Sequence, residues 1–90
     1  MTEKYQIFAG FINDRLSRDS LYEGTLEEAK EHARHLGMEV LREYVHIETL
    51  GLGNHTINSI EYSVSNMRGH RLYTGHVTKA DLLALKHSNT

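Results

Sequence analysis

Cysteine, proline and tryptophan are all absent from the 90 residues. Without cysteine there is no disulfide, thiolate metal site, iron–sulfur cluster or thiol nucleophile, and a reducing, cytoplasmic setting fits. A chain of average composition would carry about four or five prolines, so no ring here breaks a helix or guards a strand. No apolar run approaches the ~20 residues of a membrane-spanning helix. The opening Met1-Thr2-Glu3-Lys4-Tyr5 lacks the basic and apolar regions of a signal peptide. Charge of one sign is missing too: 10 Lys and Arg stand against 12 Asp and Glu, for a formal net charge of −2. That balance lacks the strongly basic footprint of a protein that docks on nucleic-acid phosphates or acidic membranes.

Histidine is abundant instead, with seven, at positions 32, 35, 46, 55, 70, 76 and 87. Protonating them all would reverse the sign of the net charge, so surface charge should depend on pH between about 7 and 5.5. The length suits one domain, residues 1–90, with no linker, repeat or low-complexity tract to divide it.

The order of patterns along the chain predicts an α+β fold, β-α-β-β-α, with a small antiparallel sheet packed on one long helix. Lys4 to Ile12 reads as a strand with apolar residues on both sides, as in a central strand or one covered on both faces. Asn13 to Gly24 is polar and reads as a loop with a short extended piece at Leu21-Tyr22. Thr25 and Glu28 form a capping box. From Leu26 the apolar positions Ala29, Ala33, Leu36, Val40, Tyr44 and Ile47 follow at spacings of three and four, which predicts a helix over Leu26–His46. A rival reading ends it at Gly37. Gly51-Leu52-Gly53-Asn54 reads as a turn. His55 to Ser65 alternates as a half-buried strand, Asn66 to Gly69 as a hairpin turn, and Arg71 to Val77 as its partner. Thr78 and Asp81 mark the start of a closing helix, which frays from Ser88.

Two further strips lie on the long helix. Met38, Leu41 and Val45 fall roughly opposite the core strip, where a two-layer domain meets water. They are therefore the candidate self-association face of a homodimer, unless the C-terminal helix or the polar loop folds over them. Glu28, His32, His35, Glu39, Glu43 and His46 share the third strip. His32, His35 and Glu39 have spacing that could hold a metal, although ordinary i, i+4 pairing explains the same residues and no metal signature is present.

No nucleophile elbow or phosphate loop is present, so catalysis is not expected; His70 and His76, with Tyr62 or Tyr73, are the best general-base candidates. No cofactor is expected. Arg15, Arg18, Arg68, His70 and Arg71 would form a basic partner- or ligand-binding rim if the polar loop and the hairpin turn share one end. Glu23-Gly24-Thr25-Leu26-Glu27-Glu28-Ala29, followed by His32-Ala33, Leu36 and Tyr44 after an N-terminal strand, resembles many small bacteriophage proteins. In layout it is similar to certain anti-CRISPR inhibitors with a β–α–β–β core, over about residues 5–47. The resemblance implies a virus-encoded inhibitor in the host cytosol that binds a host defence protein or sequesters a small signalling nucleotide. It carries no catalytic residue across. The alternatives are a His/Glu metal-binding or small-ligand-binding homo-oligomer and a nucleic-acid-binding regulator.

Overall fold

Helix α1 (Leu26–Thr49) begins at the residues that cap it. The Thr25 hydroxyl accepts from the Glu28 N–H at 3.2 Å, and the Glu28 carboxylate accepts from the Thr25 N–H at 2.9 Å. This exchange satisfies two donors that a helix start leaves open and holds the Glu28 carboxyl below its usual range. The helix passes through Gly37 and runs one turn beyond His46, to Thr49. Gly37 faces the sheet at close range: a Cβ there would lie 3.2 Å from both Tyr62 Cδ1 and Val77 Cγ2.

The computed structural model describes residues 2–51 and 57–88. Most of the turn expected at Gly51-Leu52-Gly53-Asn54, and His55 after it, lie outside the described residues. The strands are β1 (Glu3–Ala9), β2 (Arg18–Gly24), β3 (Ser59–Asn66) and β4 (Arg71–Thr78), and helix α2 (Lys79–Ser88) follows β4 directly. They form one four-stranded sheet in the order β2-β1-β3-β4, with every neighbouring pair antiparallel. The fold is α+β, with that sheet packed on α1.

One strand lies where the polar composition predicts a loop. Within Asn13–Gly24, β2 pairs with β1 along its whole length, from Glu3 opposite Gly24 to Ala9 opposite Arg18. As an edge strand it half-buries only Ser20 and Tyr22 and fully buries only Gly24, so its alternation is muted by the exposed Arg18, Asp19 and Glu23. β1 stops at Ala9 rather than Ile12. Gly10 turns the chain at φ +124°, and a Cβ there would meet Ser17 Cα at 2.7 Å.

The core lies between α1 and one face of the sheet. Tyr5, Ile7 and Ala9 of β1, Ile60, Tyr62 and Val64 of β3, and Val77 of β4 meet Ala29, Ala33, Val40, Leu41 and Tyr44 of α1. Leu41 is fully buried and Met38 is 6% exposed. These two, with the partly buried Val45, therefore do not form a free self-association face. The arc of α1 that meets the sheet extends beyond the predicted strip, and Leu82 of α2 and Ile57 join the same apolar cluster. Tyr44 contributes its ring, which Phe11 meets edge-on at 5.9 Å, and its buried hydroxyl faces the Asp14 carboxylate, which it holds below the usual range.

A carboxylate ties the far end of α1 to the rest. Glu48 accepts from the Ile57 N–H and from Lys79 Nζ, the latter at 2.9 Å, and both hold its carboxyl below the usual range. A carboxyl that titrates lower in the folded than in the unfolded chain stabilises the fold fully above its unfolded value and loses that contribution on acidification. Glu28, Glu31 and Asp14 are shifted the same way. Stability measured by denaturant unfolding should therefore fall as the pH drops below about 4.5, and Glu48→Gln should flatten that fall. Leu41→Ala should cost about 2–5 kcal/mol by opening a cavity, with no change in native mass.

Candidate functional site

Alternation along β3 sends Ile60, Tyr62 and Val64 to the helix and leaves Ser59, Glu61, Ser63 and Ser65 on the opposite face. On β1 the same rule turns Lys4, Gln6 and Phe8 outward, and on β2 Asp19, Leu21 and Glu23. Among the described residues no element covers this face. The molecule is 15 Å across its thinnest dimension, which leaves room for one sheet and one helix layer at a spacing of about 10 Å. Leu21 is 62% exposed and Ile12, in the loop after β1, is 82% exposed.

An open groove of about 560 Å³ crosses the outer face. Phe8, Gly10, Phe11 and Ile12 form its apolar wall, and Ser59, Glu61, Ser63, Arg71 and His76 its polar one. Strand register brings these together: Phe8 lies opposite Ser63, and Glu61 opposite His76. Ser63 is only 7% exposed and sits at the floor. His76 Nε2 lies 3.6 Å from Glu61 Oε2. The size falls within the range of ligand sites, but the shape is a shallow trough. Nucleophilic catalysis needs a base bonded to its nucleophile. Here the histidine faces a carboxylate, and among the described residues no hydrogen bond joins it to a serine. What the arrangement offers is an amphipathic surface, apolar on one side and hydroxyl-rich with mixed charge on the other.

The residues expected to form a basic rim do not come together. Tyr5 pairs with Asn66 and Ala9 with Tyr62, so the β1–β2 loop and the β3–β4 turn lie at opposite ends of the sheet. Arg15 belongs to the first end and Arg68 and His70 to the second, while Arg71 reaches the groove. Arg18 is engaged elsewhere: its guanidinium contacts Glu39 at 3.3 Å and also pairs with Glu43.

The strip that could have held a metal has the same use. Glu39 is held by Arg18, His32 lies against the Tyr22 ring with centroids 4.9 Å apart, and His35 pairs with Glu31 at 3.2 Å. Among the described residues no three His, Asp or Glu converge on a point where an ion could sit. His32, Glu39 and Glu43 instead fasten β2 to the helix. Glu61 and Ser63 escaped the sequence reading because they look like an ordinary solvent face. Phe8 and Ile12 did leave a signal, since a strand apolar on both sides predicts a second covered face.

Comparison with family models, with curated proteins and with solved structures gives no match. Among the described residues no helix is long and apolar enough to cross a membrane.

Because Arg18 is a strap between β2 and α1, Arg18→Ala should lower unfolding free energy by at most about 1 kcal/mol, as exposed ion pairs do. It should leave partner binding at the groove unchanged. A binding loss larger than the stability loss would return Arg18 to the site.

Proposed function

We propose that this chain is a non-catalytic binding protein that lays the uncovered face of its sheet against a protein partner, as a phage-type inhibitor of a host defence system would. The observation that supports this is the pair of exposed apolar side chains Ile12 and Leu21, with the half-buried Phe8 between them, on a side of the sheet that no other element covers among the described residues. Contiguous apolar surface of this kind, bordered by hydroxyls and charges, is how partner surfaces differ from scattered exposed leucines. A partner in the host cytosol fits a cysteine-free chain.

Two other ligand classes fit the face less well. A signalling nucleotide needs convergent cations for its phosphates, whereas Arg71 and His76 share the groove with Glu61. Nucleic acid needs an unopposed basic track, and Asp19, Glu23 and Glu61 interrupt this one.

A photo-crosslinking residue at Ile12 should trap a discrete partner in host cells, whereas one at Glu27, 83% exposed on the helix, should not. Ile12→Asp should weaken the captured complex at least about tenfold, as the loss of an apolar anchor does, with the melting temperature unchanged. Crosslinking from Glu27 alone, or undiminished binding by Ile12→Asp, would refute the proposal.

A further inference from the structure

The two edges of the sheet are built differently. β2 carries Arg18, Asp19 and Glu23 along its outer edge, the usual protection against strand pairing. β4 has no Asp, Glu, Lys or Arg from Leu72 to Thr78, and no proline. It is also the most exposed strand, with Leu72 at 45% and Tyr73 at 36% exposure. Its outer backbone edge has no strand partner among the described residues.

We infer that this edge pairs with the β4 edge of a second copy, joining two four-stranded sheets into one of twice the width. The occupant follows from self-complementarity. An antiparallel pair related by a twofold axis at Thr74 sets Thr74 opposite Thr74, Tyr73 opposite Gly75, and Leu72 opposite His76. Gly75 is bare because Tyr62 fills the space above it; a Cβ there would meet the Tyr62 ring at 2.5 Å. Each Tyr73 would thus lie across a strand position with no side chain, beside an aromatic surface already in place. Aromatic residues opposite glycine on neighbouring strands stabilise sheets in this way. Inside one copy, Tyr62 lies 6.2 Å from Tyr73 and Lys30 Nζ sits 4.7 Å over the Tyr73 ring, so the side away from them is the one left bare. Lys30 is itself paired with Glu27 at 3.2 Å, which limits repulsion between the two copies. The same operation on β2, centred on Leu21, would set Asp19 against Glu23. Like charge therefore disfavours the other edge.

Pairing over about five residues is a small interface, below the roughly 1,200 Å² of stable complexes. Association is therefore concentration-dependent and weak. It does not depend on the use of the groove.

Sedimentation equilibrium of the wild-type chain, between about 10 and about 500 µM for so small an interface, should show the 10.3 kDa mass rising toward twice that value. Thr74→Lys, which opposes two like charges on the axis, should raise the dissociation constant at least about tenfold. Leu21→Lys on the other edge should leave it unchanged. Circular dichroism identifies a variant that fails to fold. In the wild-type chain, amide exchange at Leu72–His76 should slow as concentration rises. A monomer throughout, a dimer that survives folded Thr74→Lys, a dimer lost in Leu21→Lys, or concentration-independent exchange at Leu72–His76 would each overturn the inference.

Discussion

Everything in this molecule is arranged around the close approach of α1 to the sheet at Gly37. With no side chain there, the helix backbone comes to within a methyl group's reach of Tyr62 and Val77. Ala33 and Ala29, one and two turns earlier, keep the same low profile and are fully buried. A helix seated this deeply buries side chains over a wide arc, which is why Leu41 belongs to the core as much as Val40 does. The same seating holds the Tyr62 ring over Gly75 and so shapes the outermost strand. Among the described residues nothing comparable is packed on the other face. Phe8 of β1, which points away from α1, and Ile12 of the loop after it are left to the groove, and the binding proposal is a consequence of that asymmetry.

Much of this architecture is legible in the sequence. The Thr25–Glu28 capping box, the three-and-four spacing through Gly37 and the alternation from Ile60 to Val64 are local patterns, and each predicts its own element. What escaped depends on tertiary placement. The alternation of β2 is hidden because only one side of an edge strand is covered, and its charges read as loop. The burial of Met38 and Leu41 depends on how deeply the helix is seated and on where α2 lies, which a helical projection cannot supply. The basic rim failed for a topological reason: antiparallel pairing of β1 with β3 separates the loop from the hairpin turn. Of Arg15, Arg18, Arg68, His70 and Arg71, only Arg71 lines the groove.

The histidine- and glutamate-rich strip of α1 shows how one pattern can serve an unrelated purpose. Spacing alone placed imidazoles and carboxylates on one arc, which metal chemistry also requires. In the fold, Tyr22 stacks on His32 and Arg18 reaches Glu39 and Glu43. The strip thus gives an edge strand, which buries little apolar surface of its own, a polar attachment to the helix. Exposed ion pairs contribute little each, so β2 is held chiefly by its hydrogen bonds to β1.

The connectivity also sets the entropic cost of each strand pairing. β1 with β2 and β3 with β4 are hairpins of neighbours in the chain, while β1 and β3 pair across a separation that spans the whole of α1. Closing so long a loop is entropically slow, and the helix shortens it by taking up about half of the intervening residues at about 1.5 Å each. Pairing within each hairpin thus costs less chain entropy than the pairing of β1 with β3, and α1 is the spine on which the two halves meet. With no proline in the sequence, no slow prolyl isomerisation delays that pairing.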